Sequence, residues 1–129
     1  MNKQRILVTG ANGFIGKNLL IRLGEQADIE TLAFVRGDSV EALMTLVGRA
    51  DAVIHLAGEN RSNDVADFTR NNIDLTSALC DAIQRAGRNI PLIFASSVQA
   101  QHDNPYGQSK LASEQVIEDF VAKTDNSAI

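Results

Sequence analysis

Residues 9–16 read TGANGFIG, and this stretch decides how the rest of the chain is interpreted. It follows residues 5–9, a mostly apolar run typical of a strand that is buried on both faces. It leads into residues 14–26, where large apolar side chains recur at helical spacing. A glycine cluster between a strand and a helix is the context that indicates a dinucleotide-binding turn.

Each glycine of this turn has a predicted task. Gly10 would allow the tight turn, Gly13 the close approach of a pyrophosphate, and Gly16 close packing of the helix on the sheet. The phosphates would meet the free N–H groups and the positive end of the helix. The alternative is a glycine-rich turn that binds no ligand.

Strand and helix patterns alternate along the whole chain, which predicts an α/β fold with right-handed crossovers and a parallel sheet. We expect a Rossmann-like, doubly wound sheet of strand order 2-1-3-4, with its ligand site at the switch point beside the first strand. The predicted strands are residues 5–9, 31–35, 52–56 and 92–95, and the predicted helices are 14–26, 39–48 with Ser39 as N-cap, 64–85 with Gly87 just beyond, and 104–123 with Asn104 as N-cap and Pro105 first.

The apolar positions of these helices predict which faces are buried. We expect core packing for Phe14 and most other phenylalanines. The expected inner positions of the later helices are Val40, Leu43, Met44 and Val47, then Phe68, Leu75, Leu79 and Ile83, then Leu111, Ile117 and Phe120.

Length and composition indicate one domain spanning residues 1–129, of 13.9 kDa and formal charge −4. Without a basic run the chain is a poor candidate for binding nucleic acid or an anionic membrane. It has no apolar stretch of membrane-spanning length and no signal-peptide pattern, so we expect a soluble, cytoplasmic domain. Residues 124–129 stop where a further strand is expected, which predicts a truncated domain without a C-terminal substrate lobe.

Arg36 lies at the end of the second predicted strand, about 20 residues past the last glycine. An acidic residue at this place usually binds the ribose 2′-hydroxyl of NAD, whereas a guanidinium can bind a 2′-phosphate. The sequence therefore favours NADP(H) over NAD(H). The alternative is a solvated loop cation.

Tyr106 and Lys110 are four residues apart, so they share one face of the last predicted helix. A cation beside a phenol favours the phenolate and makes the tyrosine a better acid or base at neutral pH. The serines that end the fourth strand, Ser96 and Ser97, lie at the sheet edge where sites form. A serine there could hold a carbonyl oxygen while Tyr106 passes the proton.

These motifs, together with HLAG at residues 55–58, resemble the extended short-chain dehydrogenase/reductase (NAD-dependent epimerase/dehydratase) superfamily. The resemblance implies a catalytic triad of Ser97, Tyr106 and Lys110, with Lys110 also binding the nicotinamide ribose. It implies cofactor contacts along the glycine turn and the HLAG segment, and it matches Asn72 to the superfamily's helix asparagine. The implied cofactor-binding residues are Gly10, Asn12, Gly13, Phe14, Ile15, Gly16, Arg36, Leu56, Ala57, Gly58, Asn72 and Lys110.

A narrower resemblance lies in HLAGENR at residues 55–61, SSVQA at 96–100 and DNPYG at 103–107. These segments look like the reductase domain of the capsular polysaccharide assembling protein F family. That family implies NADPH-dependent reduction of a keto-deoxy UDP-sugar for surface polysaccharide. No cupin domain is present in this sequence, so the family's epimerase step and its metal are not carried over. The broader superfamily resemblance also implies a homodimer through helices 64–85 and 104–123.

The remaining candidates are weaker. Asn60 and Arg61 follow a strand end and are candidates for substrate contact, with a loop cation as the alternative for Arg61. His55 is expected to be a core or cofactor-shell histidine, His102 solvated, and Cys80 a small core residue. No metal site is predicted. The rival functions are a sugar 4-epimerase or dehydratase that keeps NAD bound, and a non-catalytic dinucleotide-binding domain.

Overall fold

The computed structural model describes residues 3–57, 69–96 and 104–129. Four parallel strands form one sheet in the order β2-β1-β3-β4, which confirms the predicted topology. The strands are β1 (Gln4–Thr9), β2 (Ile29–Phe34), β3 (Ala52–His55) and β4 (Leu92–Phe94); the helices are α1 (Phe14–Gly24), α2 (Val40–Arg49), α3 (Leu75–Ala86) and α4 (Pro105–Lys123), with a π-helical segment at Thr69–Asp74 before α3.

One face of the sheet carries the main core. Leu7 is in register with Leu32 and Val53, and Val53 with Leu92, so their side chains form a row on one face. This row belongs to the same buried cluster as α2, α3 and α4 residues. Helix α1 packs on β1 and β2 from the opposite face, where Ile93 of β4 stays 46% exposed.

The predicted helix caps are confirmed. The Ser39 hydroxyl accepts the Ala42 N–H at 3.1 Å. The Asn104 side chain accepts the Gly107 N–H at 2.7 Å, with Pro105 at the first helical position. Gly87 ends α3 with a φ of 72°, a conformation that favours glycine.

Several predicted inner positions are wrong. In the first turn of α1, Gly16 faces the sheet. Phe14 is two residues earlier and therefore lies on the other side of the helix, about 200° away, where it is 85% exposed. Leu111 is 43% exposed, because the adjacent Lys110 takes the buried face of α4. Val40 and Met44 of α2 are also exposed, whereas Leu43 and Val47 are fully buried.

The predicted single helix over residues 64–85 is also corrected. Its first residues, Phe68 included, lie outside the described part of the chain. From Thr69 to Asp74 the backbone is π-helical, and α3 begins only at Leu75. Two hydroxyl groups, those of Thr76 and Ser113, donate to the Asn72 carbonyl and so compete with regular helix hydrogen bonding there.

Residues 124–129, where the sequence predicts that a further strand is due, reach the edge of the sheet beside β4 through one isolated bridge. Ala128 forms a parallel bridge with Leu92, and the Phe94 N–H donates to the Ile129 carbonyl at 2.8 Å. The Asn126 side chain bonds both backbone groups of Ile90, each at 2.7 Å. Among the described helices, none combines the length and apolarity needed to cross a membrane.

Candidate functional site

The glycine turn is shaped by contacts that allow no side chain. Gly10 has a φ of +69°, and a Cβ added there would lie 2.7 Å from the Ala57 nitrogen. A Cβ on Gly16 would lie 2.1 Å from the Gly10 carbonyl oxygen. A Cβ on Gly13 would meet only that oxygen, at 3.3 Å. The protein's own packing therefore requires glycine at 10 and 16, whereas at Gly13 the missing side chain mainly leaves room for a ligand.

A cavity of about 580 Å³ lies at the carboxyl edge of the sheet, beside the switch point. Of the predicted cofactor residues, Gly10, Asn12, Gly13, Arg36, Leu56 and Ala57 line it. Gly16 is buried under the turn, and Phe14 and Ile15 point to solvent instead. Gly58 lies outside the described residues. The structure thus brings the glycine turn, the end of β2 and the end of β3 together on one cavity.

The N-terminus of α1 opens onto this cavity. Gly13 is its N-cap and supplies no side-chain hydrogen bond, and α1 has no acidic residue in its first turn. The first N–H groups of a helix have no acceptor within the helix, and the helix dipole favours an anion there. The cavity wall beside Gly13 therefore suits the phosphates of a dinucleotide.

The part of the cavity wall that follows β2 carries both a cation and an anion. Arg36 and Asp38 both line it, 20 and 22 residues past Gly16. An Asp38 carboxylate oxygen accepts the Val35 N–H at 3.0 Å, and the Val35 carbonyl accepts the Asp38 N–H at 3.0 Å. Sequence reasoning missed Asp38, although the usual spacing of an acidic ribose ligand fits it as well as it fits Arg36.

A row of four residues crosses the sheet just below the cavity: Phe34, Thr9, His55 and Phe94 are in register. The Thr9 hydroxyl oxygen accepts the N–H groups of Leu56 and Ala57, each at 3.1 Å. Thr9 thereby fixes the backbone that forms the cavity wall after β3.

The same row connects to the helices through His55. Thr9 Oγ1 lies 2.6 Å from His55 Nδ1, and His55 Nε2 lies 2.9 Å from Thr76 Oγ1. Thr76 in turn donates to the Asn72 carbonyl at 2.6 Å. From Asn72 the network reaches α4, because its amide donates to the Ser109 hydroxyl at 2.6 Å. Sequence reasoning missed Thr76 and Ser109, since no local pattern relates residues so far apart.

His55 is fully buried, as the sequence suggested, and it is uncharged. Burial first, and the Lys110 ammonium second, lower its pKa from 6.5 to about 3. The unfolded chain therefore takes up the His55 proton first as the pH falls. Stability that is complete above pH 6.5 is lost progressively between pH 6.5 and about 3.

We accordingly predict that the free energy of unfolding falls by about 2 kcal/mol between pH 7.5 and pH 5 from His55 alone. Urea unfolding at the two pH values measures it. His102→Gln should keep this fall, whereas His55→Gln should lose it whatever its own stability. An unchanged urea midpoint in the wild-type chain over this range would show that His55 is not held neutral.

Tyr106 and Lys110 lie on one face of α4, as predicted. The Lys110 ammonium is 6.0 Å from the centroid of the Tyr106 ring and 4.9 Å from that of Phe94, and it donates to the Ala95 carbonyl at 3.1 Å. Burial lowers the pKa of Lys110, while the Glu114 carboxylate opposes the shift. Lys110 and Asn72 are buried and do not line the cavity.

The remaining candidates are placed as follows. The Ser96 hydroxyl donates to the Glu114 carboxylate. Ser97, Asn60 and Arg61 lie outside the described residues, so their predicted roles stay predictions. Cys80 is 4% exposed, and burial followed by the Asp81 carboxylate raises its pKa to about 12, which makes it a core residue with an inert thiol. Within the described ranges no His, Cys, Asp and Glu side chains cluster as metal ligands would.

A parallel sheet with a glycine turn at its switch point defines the class of dinucleotide-binding α/β domains. Residues 6–129 match the model of the NAD dependent epimerase/dehydratase family, and the chain belongs to that family. The superfamily resemblance seen in the sequence is thereby confirmed.

Similar proteins narrow the relationship. The chain is 48% identical over 111 residues to a UDP-2-acetamido-2,6-beta-L-arabino-hexul-4-ose reductase of Pseudomonas aeruginosa, covering 86% of this chain and 30% of the relative. The crystal structure of capsular polysaccharide assembling protein CapF from Staphylococcus aureus superposes with a TM-score of 0.81 at 34% identity, covering 99% of this chain and 34% of that one. These two matches confirm the narrower resemblance.

A third protein, MoeE5, has been solved in complex with UDP-glucose and NAD. It superposes with a TM-score of 0.83 at 25% identity, covering 96% of this chain and 51% of that one. The chain thus spans about a third of the first two relatives and half of the third.

Proposed function

We propose that this chain is the cofactor-binding part of an enzyme that reduces a keto-deoxy UDP-sugar with NADPH in the synthesis of a surface polysaccharide. The observation that carries the proposal is the cavity that joins the glycine turn to Arg36 and Ala57. Tyr106 and Lys110 support it, because they share one face of α4 and the Lys110 ammonium donates to the Ala95 carbonyl at the end of β4. The 48% identity to a UDP-sugar keto reductase supports the substrate class.

The proposed reaction needs a hydride and a proton. The nicotinamide supplies the hydride to the keto carbon when the cofactor is bound. Tyr106 gives its hydroxyl proton to the keto oxygen, so that the carbonyl becomes an alcohol. The Lys110 ammonium beside the ring stabilises the phenolate left on Tyr106, and its bond to the Ala95 carbonyl keeps it there.

Ser97 is proposed to hold the keto oxygen by hydrogen bonding. Its neighbour Ser96 is the less suitable of the two serines, because its hydroxyl is already bonded to Glu114. Asn60 and Arg61 are proposed contacts to the sugar nucleotide. Helices α3 and α4, which lie within the sequence ranges 64–85 and 104–123, are the proposed dimer contact, and the proposed location is the cytoplasm.

The preference for NADPH rests on Arg36, which lines the cavity at the end where the adenosine ribose would lie. A guanidinium can form bidentate hydrogen bonds with a 2′-phosphate. The nearby Asp38 carboxylate would repel that phosphate, but one of its oxygens is engaged by the Val35 N–H.

Calorimetric titration with NADPH and NADH tests this preference. Arg36→Glu should weaken NADPH binding by about 100-fold and leave NADH binding within about threefold, because only the 2′-phosphate distinguishes the two dinucleotides. Arg49→Glu, at an exposed cation on the far end of α2, is the matched control and should change neither. Equal loss of both dinucleotides would refute a phosphate-reading role for Arg36.

The second candidate is an NAD-dependent sugar 4-epimerase or dehydratase, and Asp38 is the observation that favours it. If Asp38 rather than Arg36 contacts the ribose, its carboxylate would accept hydrogen bonds from the hydroxyls of NAD. Asp38→Asn should then weaken NADH binding by about tenfold and strengthen NADPH binding. The reductase proposal instead expects the unaltered chain to prefer NADPH, and Asp38→Asn to leave NADH binding within about threefold.

A further inference from the structure

The hydrogen bonds between Thr9 and Asn72 favour one arrangement of their protons. The Thr9 hydroxyl oxygen accepts the Ala57 N–H at 3.1 Å, and it accepts the Leu56 N–H at 3.1 Å, which the Thr9 carbonyl shares at 3.3 Å. With these N–H groups on the oxygen, the hydroxyl proton points at His55 Nδ1, 2.6 Å away. Nδ1 is then an acceptor without a proton.

The rest of the ring follows from that assignment. A neutral imidazole whose Nδ1 is unprotonated carries its proton on Nε2, and Nε2 lies 2.9 Å from Thr76 Oγ1. The Thr76 hydroxyl oxygen accepts this hydrogen bond, and the Thr76 hydroxyl donates to the backbone carbonyl of Asn72 at 2.6 Å. All three polar side chains are fully buried, and within the described residues no buried side-chain polar atom lacks a partner.

This series of hydrogen bonds, in which each group donates to the next from Thr9 to Asn72, joins two parts of the proposed site. At one end it holds the backbone of Leu56 and Ala57, which lines the dinucleotide cavity. At the other end it holds the backbone carbonyl of Asn72, a residue whose side-chain amide donates to the Ser109 hydroxyl of α4 at 2.6 Å. Helix α4 carries Tyr106 and Lys110.

The His55 ring is also held from its face. The centroid of the His55 ring lies 5.5 Å from the centroid of the Phe94 ring. The Lys110 ammonium lies over the Phe94 ring, 4.9 Å from the centroid of that ring. A ring fixed by two hydrogen bonds and one aromatic neighbour has a single orientation.

We propose that His55 is a positioning residue, which as the neutral Nε2–H tautomer fixes the cavity wall at Leu56 and Ala57 relative to the helix that carries Tyr106 and Lys110. The effect of His55 on the reaction rests on the proposed function, because the bound dinucleotide and the Tyr106 hydroxyl must act on the same substrate carbonyl. The tautomer and the mechanical link are properties of the fold and are testable without any ligand.

Nitrogen NMR of the histidine rings tests the tautomer. The chain has two histidines, so His102→Gln assigns the His55 signal. We expect one neutral ring with its proton on Nε2, unchanged from pH 8 to pH 5. A proton on Nδ1, or a charged ring in this range, would overturn the proposal.

Thr76→Val tests the link, because it removes the acceptor of Nε2–H and keeps the size of the side chain. Thr45→Val is the matched control, since Thr45 is likewise a helical threonine that donates to the carbonyl four residues earlier, but it lies exposed on α2. We expect the amide signals of Leu56 and Ala57 to move in Thr76→Val, to return in Thr76→Ser, and to stay in place in Thr45→Val. Amides that remain in place in Thr76→Val would refute the link.

The effect of Thr76→Val on the cofactor site is measured as a change in NADPH affinity. Thr76→Val should bind NADPH about five- to tenfold more weakly, with recovery in Thr76→Ser and no change in Thr45→Val. Unchanged affinity in a folded Thr76→Val chain would overturn the positioning role. A wild-type chain that binds no dinucleotide would instead refute the proposed function, while the ring and amide signals still decide the tautomer and the link.

Discussion

Gly16→Ala is expected to disrupt the site more than any other single-methyl change in the glycine turn. The added Cβ would lie 2.1 Å from the Gly10 carbonyl oxygen and 2.9 Å from the Ala11 Cα, and both are backbone atoms that cannot turn aside. The turn and α1 must therefore move apart. We expect a loss of about 2–3 kcal/mol in the free energy of unfolding. We also expect NADPH affinity to fall about 100-fold, as for a displacement of about 1 Å in a positioned site.

Gly48→Ala is the matched control for this prediction. Gly48 also lies in a helix, but a Cβ there would meet nothing within 4 Å. Alanine at that position should stabilise the chain by about 0.4–1 kcal/mol and leave NADPH affinity unchanged. Chemical unfolding and calorimetry measure both variants. If Gly16→Ala bound NADPH as tightly as Gly48→Ala, the glycine turn would not be the phosphate site.

Tyr106→Phe is expected to give the largest loss of activity. It removes the proposed proton donor and retains the ring that packs near Lys110. We expect the rate of keto-sugar reduction by a polypeptide that contains residues 1–129 to fall by about 10²–10⁴-fold. NADPH affinity and the unfolding midpoint should stay close to those of the unaltered protein. Retention of a tenth or more of the rate would exclude Tyr106 as the acid.

Lys110→Met tests the supporting cation in the same assay. Lys123→Met is its control, because Lys123 is an exposed lysine in the last turn of the same helix. Lys110→Met should reduce the rate by a factor similar to that of Tyr106→Phe, and the double variant should be no slower than either single one, since the two groups act as a unit. Additive losses would mean that Lys110 acts independently of Tyr106.

Much of the fold was predictable because its signals are local. Ser39, Asn104 and Gly87 mark helix ends through bonds or backbone angles within a few residues, and all three predictions are confirmed. The strand order followed from the alternation of elements and from handedness. The glycine turn was recognisable because only glycine fits at positions 10 and 16, where any Cβ would collide with backbone atoms.

The features that sequence reasoning missed depend on residues brought together only by the fold. His55 and Thr76 are 21 residues apart, and Asn72 and Ser109 are 37 apart, so no local pattern marks either pair. The π-helical segment contains Asn72, whose backbone carbonyl lies within hydrogen-bond distance of hydroxyls from two helices. Exposure of Phe14 follows from Gly16 occupying the sheet-facing position, although apolar periodicity counts Phe14 as core.

The central claim is that a nicotinamide dinucleotide binds at the carboxyl edge of this sheet. Titration of the ¹⁵N-labelled chain with NADPH, followed by amide NMR, tests it most directly. We predict saturable shifts of the amide signals, concentrated at residues 10–16, at Arg36 and at Leu56 and Ala57. Saturating NADPH that leaves these amides unmoved, or moves only amides elsewhere in the chain, would contradict it.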